Sequence, residues 1–270
     1  MNDALLSPSD EELALAVEAN LHAHLPHLGK MPRSTFWEEP GLKAVITELD
    51  PSECHVYLAQ VTPRKAEATI RRVLKFYRAQ GCLPMYWQVG PSTRPADLGK
   101  SLERLGFRLF ARPPGMAVEL ARLEDQPART ANFKIEPVQN ENQLRQWVTI
   151  LATVDGLRDA LRDGFYEMFH GLGLEPGGSS QLFLGLEDGV PVAGSRLFCA
   201  AGVAGIWHVS TLEQSRGKGY GTIMSLAAAR AGQEMGYRYG VLFATPLGEA
   251  VYRRLGFQEV CHLDVYKSPE

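Results

Sequence analysis

The sequence predicts an α/β protein of the α+β kind, made of two lobes that each carry a mixed, mostly antiparallel central sheet flanked by helices. Three observations predict it. Strand-like apolar runs alternate with helical periodicities along the whole chain. The run SQLFLGLEDGVPVAGSRLFCA turns back on itself at Asp188-Gly189, a dipeptide that favours tight hairpins. SLERLGFRLF at 101–110 is answered by AVYRRLGFQEV at 250–260, each after a helix, a strand and a short helix in the same order, which is the mark of a duplicated unit. At 270 residues the chain is long enough to bury two cores of ordinary size.

The elements follow in order. SPSDEELALAVEANLHAHL opens with Ser7 as N-cap and Pro8 at the first helical position, and its apolar spacing predicts a surface helix. LKAVITEL and HVYLAQV read as strands split by the turn-forming DPSE, and AEATIRRVLKFYRAQG as a helix closed by Gly81. PMYWQVG is a strand, ADLGKSLERLG a short helix, and FRLFARPPGMAVEL two strands around a Pro-Pro-Gly turn. Polar, helix-poor residues then mark a linker, giving a first domain at 1–123, a linker at 124–132 and a second domain at 133–270. In the second, FKIEPV is a strand, while ENQLRQWVTILATV and RDALRDGFYEMFHGLG are helices. The hairpin and VAGIWHVSTL build the sheet, followed by the helix TIMSLAAARAGQEMG, the strand YGVLFAT, the helix GEAVYRRLG and the final strands of FQEVCHLDVY.

Composition excludes several classes. A formal charge of −3, with no basic run interleaved with aromatics, argues against a nucleic-acid or membrane-surface partner. Cys54, Cys82, Cys199 and Cys261 form no CxxC pair or metal-spaced cluster, so neither a metal site nor a disulfide framework is expected, and buried thiols in a reducing compartment are. No basic start precedes an apolar block, and no window nears the roughly 18 apolar residues of a membrane helix. The expected setting is cytoplasmic, as a monomer or homodimer.

The stretch QSRGKGYGTIMS, at 214–225, opens an apolar helix with three glycines. A helix N-terminus leaves about four N–H groups unpaired and carries roughly half a positive charge, so it binds an anion if the backbone can come close. Glycine permits that approach, and Arg216 and Lys218 add charge suited to a pyrophosphate. A glycine-rich turn with an exposed basic tip is the alternative. Spacing rejects a Walker A loop, since Lys218 precedes the helix-opening glycine with no Ser or Thr beside it, and rejects G-x-G-x-x-G, since Gly217, Gly219 and Gly221 alternate. With the LGF triplets aligned 150 residues apart, Arg216, Gly219 and Gly221 fall opposite Ala66, Thr69 and Arg71, so the first unit lacks this entrance.

Arg216-x-x-Gly219-x-Gly221 follows WHVSTL directly, and VYRRLGF comes about 30 residues later. Together these resemble the GNAT superfamily of acyl-CoA-dependent N-acyltransferases over residues 133–267, with the first unit similar to a degenerate copy, as in tandem GNAT proteins. The resemblance implies acetyl-CoA as cosubstrate and an amine of a small molecule or protein as acceptor. It implies that Val209, Ser210 and Thr211 lie along the pantetheine arm, one of their N–H groups polarising the thioester. It implies that Arg216, Gly217, Lys218, Gly219, Tyr220, Gly221 and Thr222 hold the pyrophosphate, and that Tyr252 protonates the departing sulfur. An aromatic on the core face of a short helix is the other reading of Tyr252.

Departures from the family pattern are Thr245 for an asparagine, Glu213 for a proline and Gly240 where some members carry a glutamate base. No base is therefore carried over. His208 is a candidate base or a half-buried sheet residue; Glu213 and His170 are weaker candidates. Trp87 is a core anchor or an acceptor-pocket residue. A non-enzymatic acyl-CoA sensor is the functional alternative.

Overall fold

The computed structural model describes residues 4–123, 132–175 and 177–269. The expected linker at 124–132 lies outside the described residues except for Asn132. The chain runs α1 (Asp10–Leu28), β1 (Ser34–Glu39), β2 (Leu42–Thr47), β3 (His55–Ala59), α2 (Ala66–Ala79), β4 (Tyr86–Val89), α3 (Leu98–Arg104), β5 (Arg108–Ala111) and β6 (Pro114–Glu119). It continues through β7 (Phe133–Pro137), α4 (Glu141–Asp155), α5 (Asp159–Leu172), β8 (Ser180–Glu187), β9 (Val190–Ala200), β10 (Val203–Thr211), α6 (Tyr220–Glu234), β11 (Tyr239–Phe243), α7 (Glu249–Arg254), β12 (Gln258–His262) and β13 (Asp264–Lys267).

Local chemistry sets most of these boundaries. Asp188 (φ 51°) and Gly189 (φ 79°) take the left-handed pair of a type I′ turn, and β8 and β9 zip up antiparallel from it. β1, which the sequence reading passed over, is an edge strand without clean alternation; it pairs with β2 across Pro40-Gly41. The start of α1 differs from expectation. Ser9, not Ser7, is the N-cap, because only Ser9 has Glu12 three residues on: its Oγ accepts from Glu12 N (3.3 Å) while the Glu12 carboxylate accepts from Ser9 N (2.7 Å).

Two sheets form, in the orders β1-β2-β3-β4-β13-β5 and β12-β6-β11-β10-β9-β8-β7. The central pairs β3/β4 and β10/β11 are parallel and the other named-strand ladders antiparallel. The sheets do not respect a division at 124–132. β6 inserts between β11 and β12 of the second sheet, and β13 inserts between β4 and β5 of the first. Each duplicated unit thus gives its last strand to the other. The two strands expected around the Pro-Pro-Gly turn are both present, but they do not pair: β5 and β6 belong to different sheets, and the chain crosses between them. The return crossing runs alongside, with Leu263 N donating to Pro113 O (3.1 Å) and Arg112 gripping Asp264 through Nε (2.6 Å) and Nη2 (3.2 Å).

Packing follows from the exchange. Met116 and Val118 of β6 enter the core between the second sheet and α6, and Tyr266 of β13 enters that of the first lobe. In β9 the strand period shows directly: a Cβ on Gly194 would meet Trp147 of α4, while the Ser195 hydroxyl donates to Met224 O of α6 (2.8 Å). α1 is not the expected surface helix. Its Leu13, Ala16 and Val17 pack on Ala117, Val203 and Val241, its Leu25 and Leu28 join Trp147 and Phe165, and even Glu18, Asn20 and His24 are buried. Asn20 bridges elements, donating to Phe198 O (3.0 Å) and Ala200 O (3.1 Å) and accepting from Trp207 Nε1 (2.9 Å). Wedged between lobes, the helix keeps a stripe through Glu11, Leu15 and Pro26 exposed.

Residues 133–270 expressed alone lack β6, which leaves β11 and β12 with nothing between them. That fragment is expected to be unfolded or aggregated, and co-expression with 1–123 to restore a complex, read by circular dichroism and size exclusion. A monomeric fragment that unfolds cooperatively would show the exchange to be dispensable.

Candidate active site

The site begins where a ladder ends. β10 and β11 pair only through Ala204↔Gly240 and Gly205↔Val241, and then part. Past that point β10 bulges between Trp207 and Ser210, with His208 in the left-handed region at φ 51°. β10 stays bonded to β9 through Ser210↔Gly194 and Thr211↔Ala193, so its other edge borders a cleft of about 1030 Å³. Val209, Ser210, Thr211, Arg216, Gly217, Lys218, Gly219, Tyr220, Gly221, Thr222 and Tyr252 all line this one cleft.

The glycines have separate reasons. Gly217 (φ 79°) and Gly219 (φ 89°) hold left-handed backbone that costs an L-residue roughly 1 kcal/mol or more. Gly219 is the N-cap of α6, so the capping position brings no side-chain acceptor of its own. Gly221 is already helical, and a Cβ there would meet only Thr211 Oγ1, at 3.9 Å. Its lack of a side chain serves no contact within the chain; it opens the first turn of α6 to the cleft.

Charge around this helix end is arranged differently from expectation. Lys218 does not stand as an uncompensated cation: its Nζ meets Glu187 Oε1 at 2.6 Å. The same oxygen accepts from the Tyr220 hydroxyl (2.7 Å), and Ser215 Oγ donates to Oε2 (3.3 Å). Bonds from Lys218 and Tyr220 hold the Glu187 carboxyl below its ordinary value. Glu187 thus staples the loop, a role invisible in sequence because it sits at the end of β8, 31 residues before Lys218. The Tyr220 ring is buried and stacks on Phe133 at 4.0 Å, so it offers the cleft chiefly backbone. Arg216 is exposed, its Nε donating to Thr211 O (3.2 Å), and among the described residues it makes no ion pair.

Tyr252 stands at the cleft and in the core at once. Its ring joins the cluster beneath α6, lies across Gly248 and meets Phe257 edge-on at 5.7 Å. Burial raises its phenol pKa, and the neighbouring Ser225 hydroxyl pulls the other way. Ser225, missed in the sequence, is itself oriented by donating to Gly221 O (2.8 Å).

The remaining candidates separate cleanly. Gly240 faces the core, where a Cβ would meet Leu120 Cδ2 at 2.8 Å beside Ile206 and Val118, and it does not line the cleft. Thr245 lines the cleft, its Oγ1 accepting from Gly248 N (3.2 Å). Glu213 is exposed, as is His170, which pairs with Glu141 at 3.5 Å. Trp87 is fully buried in the first core and is not among the residues lining this cleft. His208 lines the cleft, but burial and then the Arg196 charge push it down to about 3, a poor value for a base. The one carboxylate among the cleft-lining residues is Asp155, at the end of α4, its pKa raised by burial.

The equivalent opening in the first lobe is filled. β3 and β4 also pair through two registers, His55↔Tyr86 and Val56↔Trp87. There, however, Arg94 bridges to β3: its N–H donates to Ala59 O (2.9 Å) and its carbonyl accepts from Val61 N (2.9 Å). Gln60 Nε2 donates to Ser92 O (3.1 Å), and Glu18 of α1 takes the Ser92 N–H (2.6 Å).

Glu53, between β2 and β3, is pushed up to about 7 by burial and by the charges of Asp50 and Asp155. The folded chain therefore keeps a proton that the unfolded chain has released between about pH 4.5 and 7, and stability falls as pH rises through that window. Glu53→Gln is expected to raise the thermal midpoint at pH 8 and leave it nearly unchanged at pH 4; equal effects at both pH values would contradict this.

No protein-family model matches the chain, and no curated protein matches it. Solved structures do. A GCN5-related N-acetyltransferase from Kribbella flavida is 20% identical with a TM-score of 0.71, over 96% of this chain and 96% of that one. A tandem GNAT protein from the clavulanic acid biosynthesis pathway is 16% identical with a TM-score of 0.61, over 97% and 94%. A GCN5-related N-acetyltransferase from Sphaerobacter thermophilus is 14% identical with a TM-score of 0.58, over 98% and 94%. The parted parallel strands, the glycine entrance of α6 and these full-length likenesses agree: the chain has the fold of the GCN5-related N-acetyltransferases, in a two-lobe arrangement.

Proposed function

We propose that the cleft of the second lobe binds acetyl-CoA and that the protein transfers the acyl group to an amine of a small molecule or protein. The observation that carries this reading is the glycine-capped N-terminus of α6, opened by Gly221 toward a cleft whose wall is the unpaired edge of β10. A pyrophosphate fits such an end because the helix supplies N–H donors and a partial positive charge, with Arg216 beside them. The amide-bearing pantetheine arm fits a strand edge that has lost its ladder. The fold likeness to N-acetyltransferases supports the same assignment.

In this reading each group of the chain has one task. Backbone of Gly217 through Thr222 holds the diphosphate, and Glu187 keeps that loop in shape through Lys218, Tyr220 and Ser215. An N–H among Val209, Ser210 and Thr211 donates to the thioester oxygen, where charge grows during attack. When bound, acetyl-CoA supplies an activated carbonyl and a thiol leaving group. Tyr252, its proton retained by burial, donates to the departing sulfur. Asp155, whose proton affinity burial increases, accepts the proton the amine gives up.

Calorimetric titration is expected to find one acetyl-CoA site per chain, because Arg94 fills the first lobe's opening. Gly221→Asp is expected to abolish that binding with little change in thermal midpoint, by setting a side chain and a like charge against the diphosphate. Unchanged affinity in the folded variant would sink the assignment.

Tyr252→Phe keeps the ring and removes the proton donor. Acetyl-CoA affinity is expected to persist while transfer to a panel of amines, read as thiol release, falls about 10²- to 10⁴-fold. Normal turnover in the variant would remove Tyr252 from the chemistry. Tight binding with no turnover by the wild type across a broad panel would favour an acyl-CoA sensor instead.

A further inference from the structure

β9 carries Arg196 directly opposite Trp207, where the bulge of β10 begins. The side chain is 0% exposed. Nε donates to Ser180 Oγ (3.0 Å), Nη1 lies 3.0 Å from His24 Nδ1, and the guanidinium carbon stands over the rings of Phe198 (4.7 Å) and Phe169 (5.1 Å). Nη2 has no partner. Among the described residues no carboxylate pairs with it, and burial, which brings its pKa down to about 9, leaves it charged at neutral pH.

A buried cation with no counter-anion is costly, and aromatic faces offset only part of the cost. Nor do its neighbours cancel the charge. His24 and His208 are both held neutral by burial, with the Arg196 charge adding to the effect. The cation sits close behind the bulge. His24 lies 6.2 Å and Phe169 5.9 Å, ring to ring, from the cleft-lining His208, and both contact Arg196. An uncompensated charge in a low-dielectric layer acts over such distances far more strongly than it would in water.

We propose that Arg196 is a fixed, uncompensated positive charge behind the bulge of β10 that polarises the acyl carbonyl bound along that strand. This rests on the assignment of the cleft to acetyl-CoA. The field has the sign needed twice: it stabilises negative charge growing on the carbonyl oxygen, and it disfavours the ammonium form of an incoming amine. Arg196 acts through its field and not by contact, which makes it a positioning residue for the reacting group's charge.

The test is isotope-edited infrared spectroscopy of acetyl-CoA labelled with carbon-13 at the carbonyl, bound to the full chain, beside calorimetric affinity and thermal midpoint. Arg196→Met is expected to keep affinity, to keep or raise the midpoint as an unpaired buried charge is removed, and to shift the carbonyl band to higher wavenumber. Arg196→Lys, which keeps the charge, is expected to hold the band near its wild-type position. An unmoved band in Arg196→Met overturns the proposal. So does failure of both Arg196→Met and Arg196→Gln to fold, which would make the guanidinium a structural requirement. Absence of acetyl-CoA binding by the wild type would overturn the functional reading itself, whereas binding with an unmoved band removes Arg196 alone.

Discussion

A strand edge inside a folded chain must have its N–H and C=O groups paired, and both lobes open such an edge by parting their central parallel strands after two registers. The remainder of the architecture can be read as two answers to that single demand. In the first lobe the chain answers it internally: Arg94 lies against β3 as a one-residue strand, fixed by Gln60 and, through Ser92, by Glu18 of α1. In the second lobe nothing among the described residues takes that position, and β10 faces a cleft with glycines at its mouth. The same parting of two parallel strands thus yields a sealed lobe and an open one, the seal being a few residues of loop around Arg94.

The reciprocal exchange of β6 and β13 decides how the open lobe is held open. Because β6 separates β11 from β12, the strand that diverges from β10 is anchored on its other side by residues of the first unit, from Gly115 to Glu119. α1 adds a second tie, with Asn20 bonded to the backbone of β9 and to Trp207 at the bulge, and Glu18 bonded to the loop that seals the first lobe. The sealed lobe is therefore a structural member of the open one. Its loss would be felt at the cleft even though it lines none of it.

The parts legible in sequence were those governed by local rules. Asp188-Gly189, the helical stripe of α4 and the pair Gly217 and Gly219 each report a nearby backbone requirement, and each appears where that requirement predicts. What was not legible depends on distant pairing. Nothing in PGMAVE distinguishes a strand of its own sheet from one donated to another, because its apolar pattern is satisfied equally by either core. α1 misled for the same reason: its polar Glu18, Asn20 and His24 look solvent-facing until partners from β4's loop, β9 and β10 are known. Glu187 and Asp155 carry no motif, since each is brought to its place by an element distant in sequence from the glycine loop.

The three glycines are not equivalent in what they cost. Gly217 and Gly219 occupy left-handed backbone, where glycine is the least strained choice, so they give up little stability. Gly221 is different, for it lies within α6 with room around it, and alanine there would gain about 1 kcal/mol of helix stability. Stability left aside at Gly221, which faces the cleft and is explained by no neighbour among the described residues, is what distinguishes this helix entrance from a turn. The missing atoms are those that would stand between the first N–H groups of α6 and an anion.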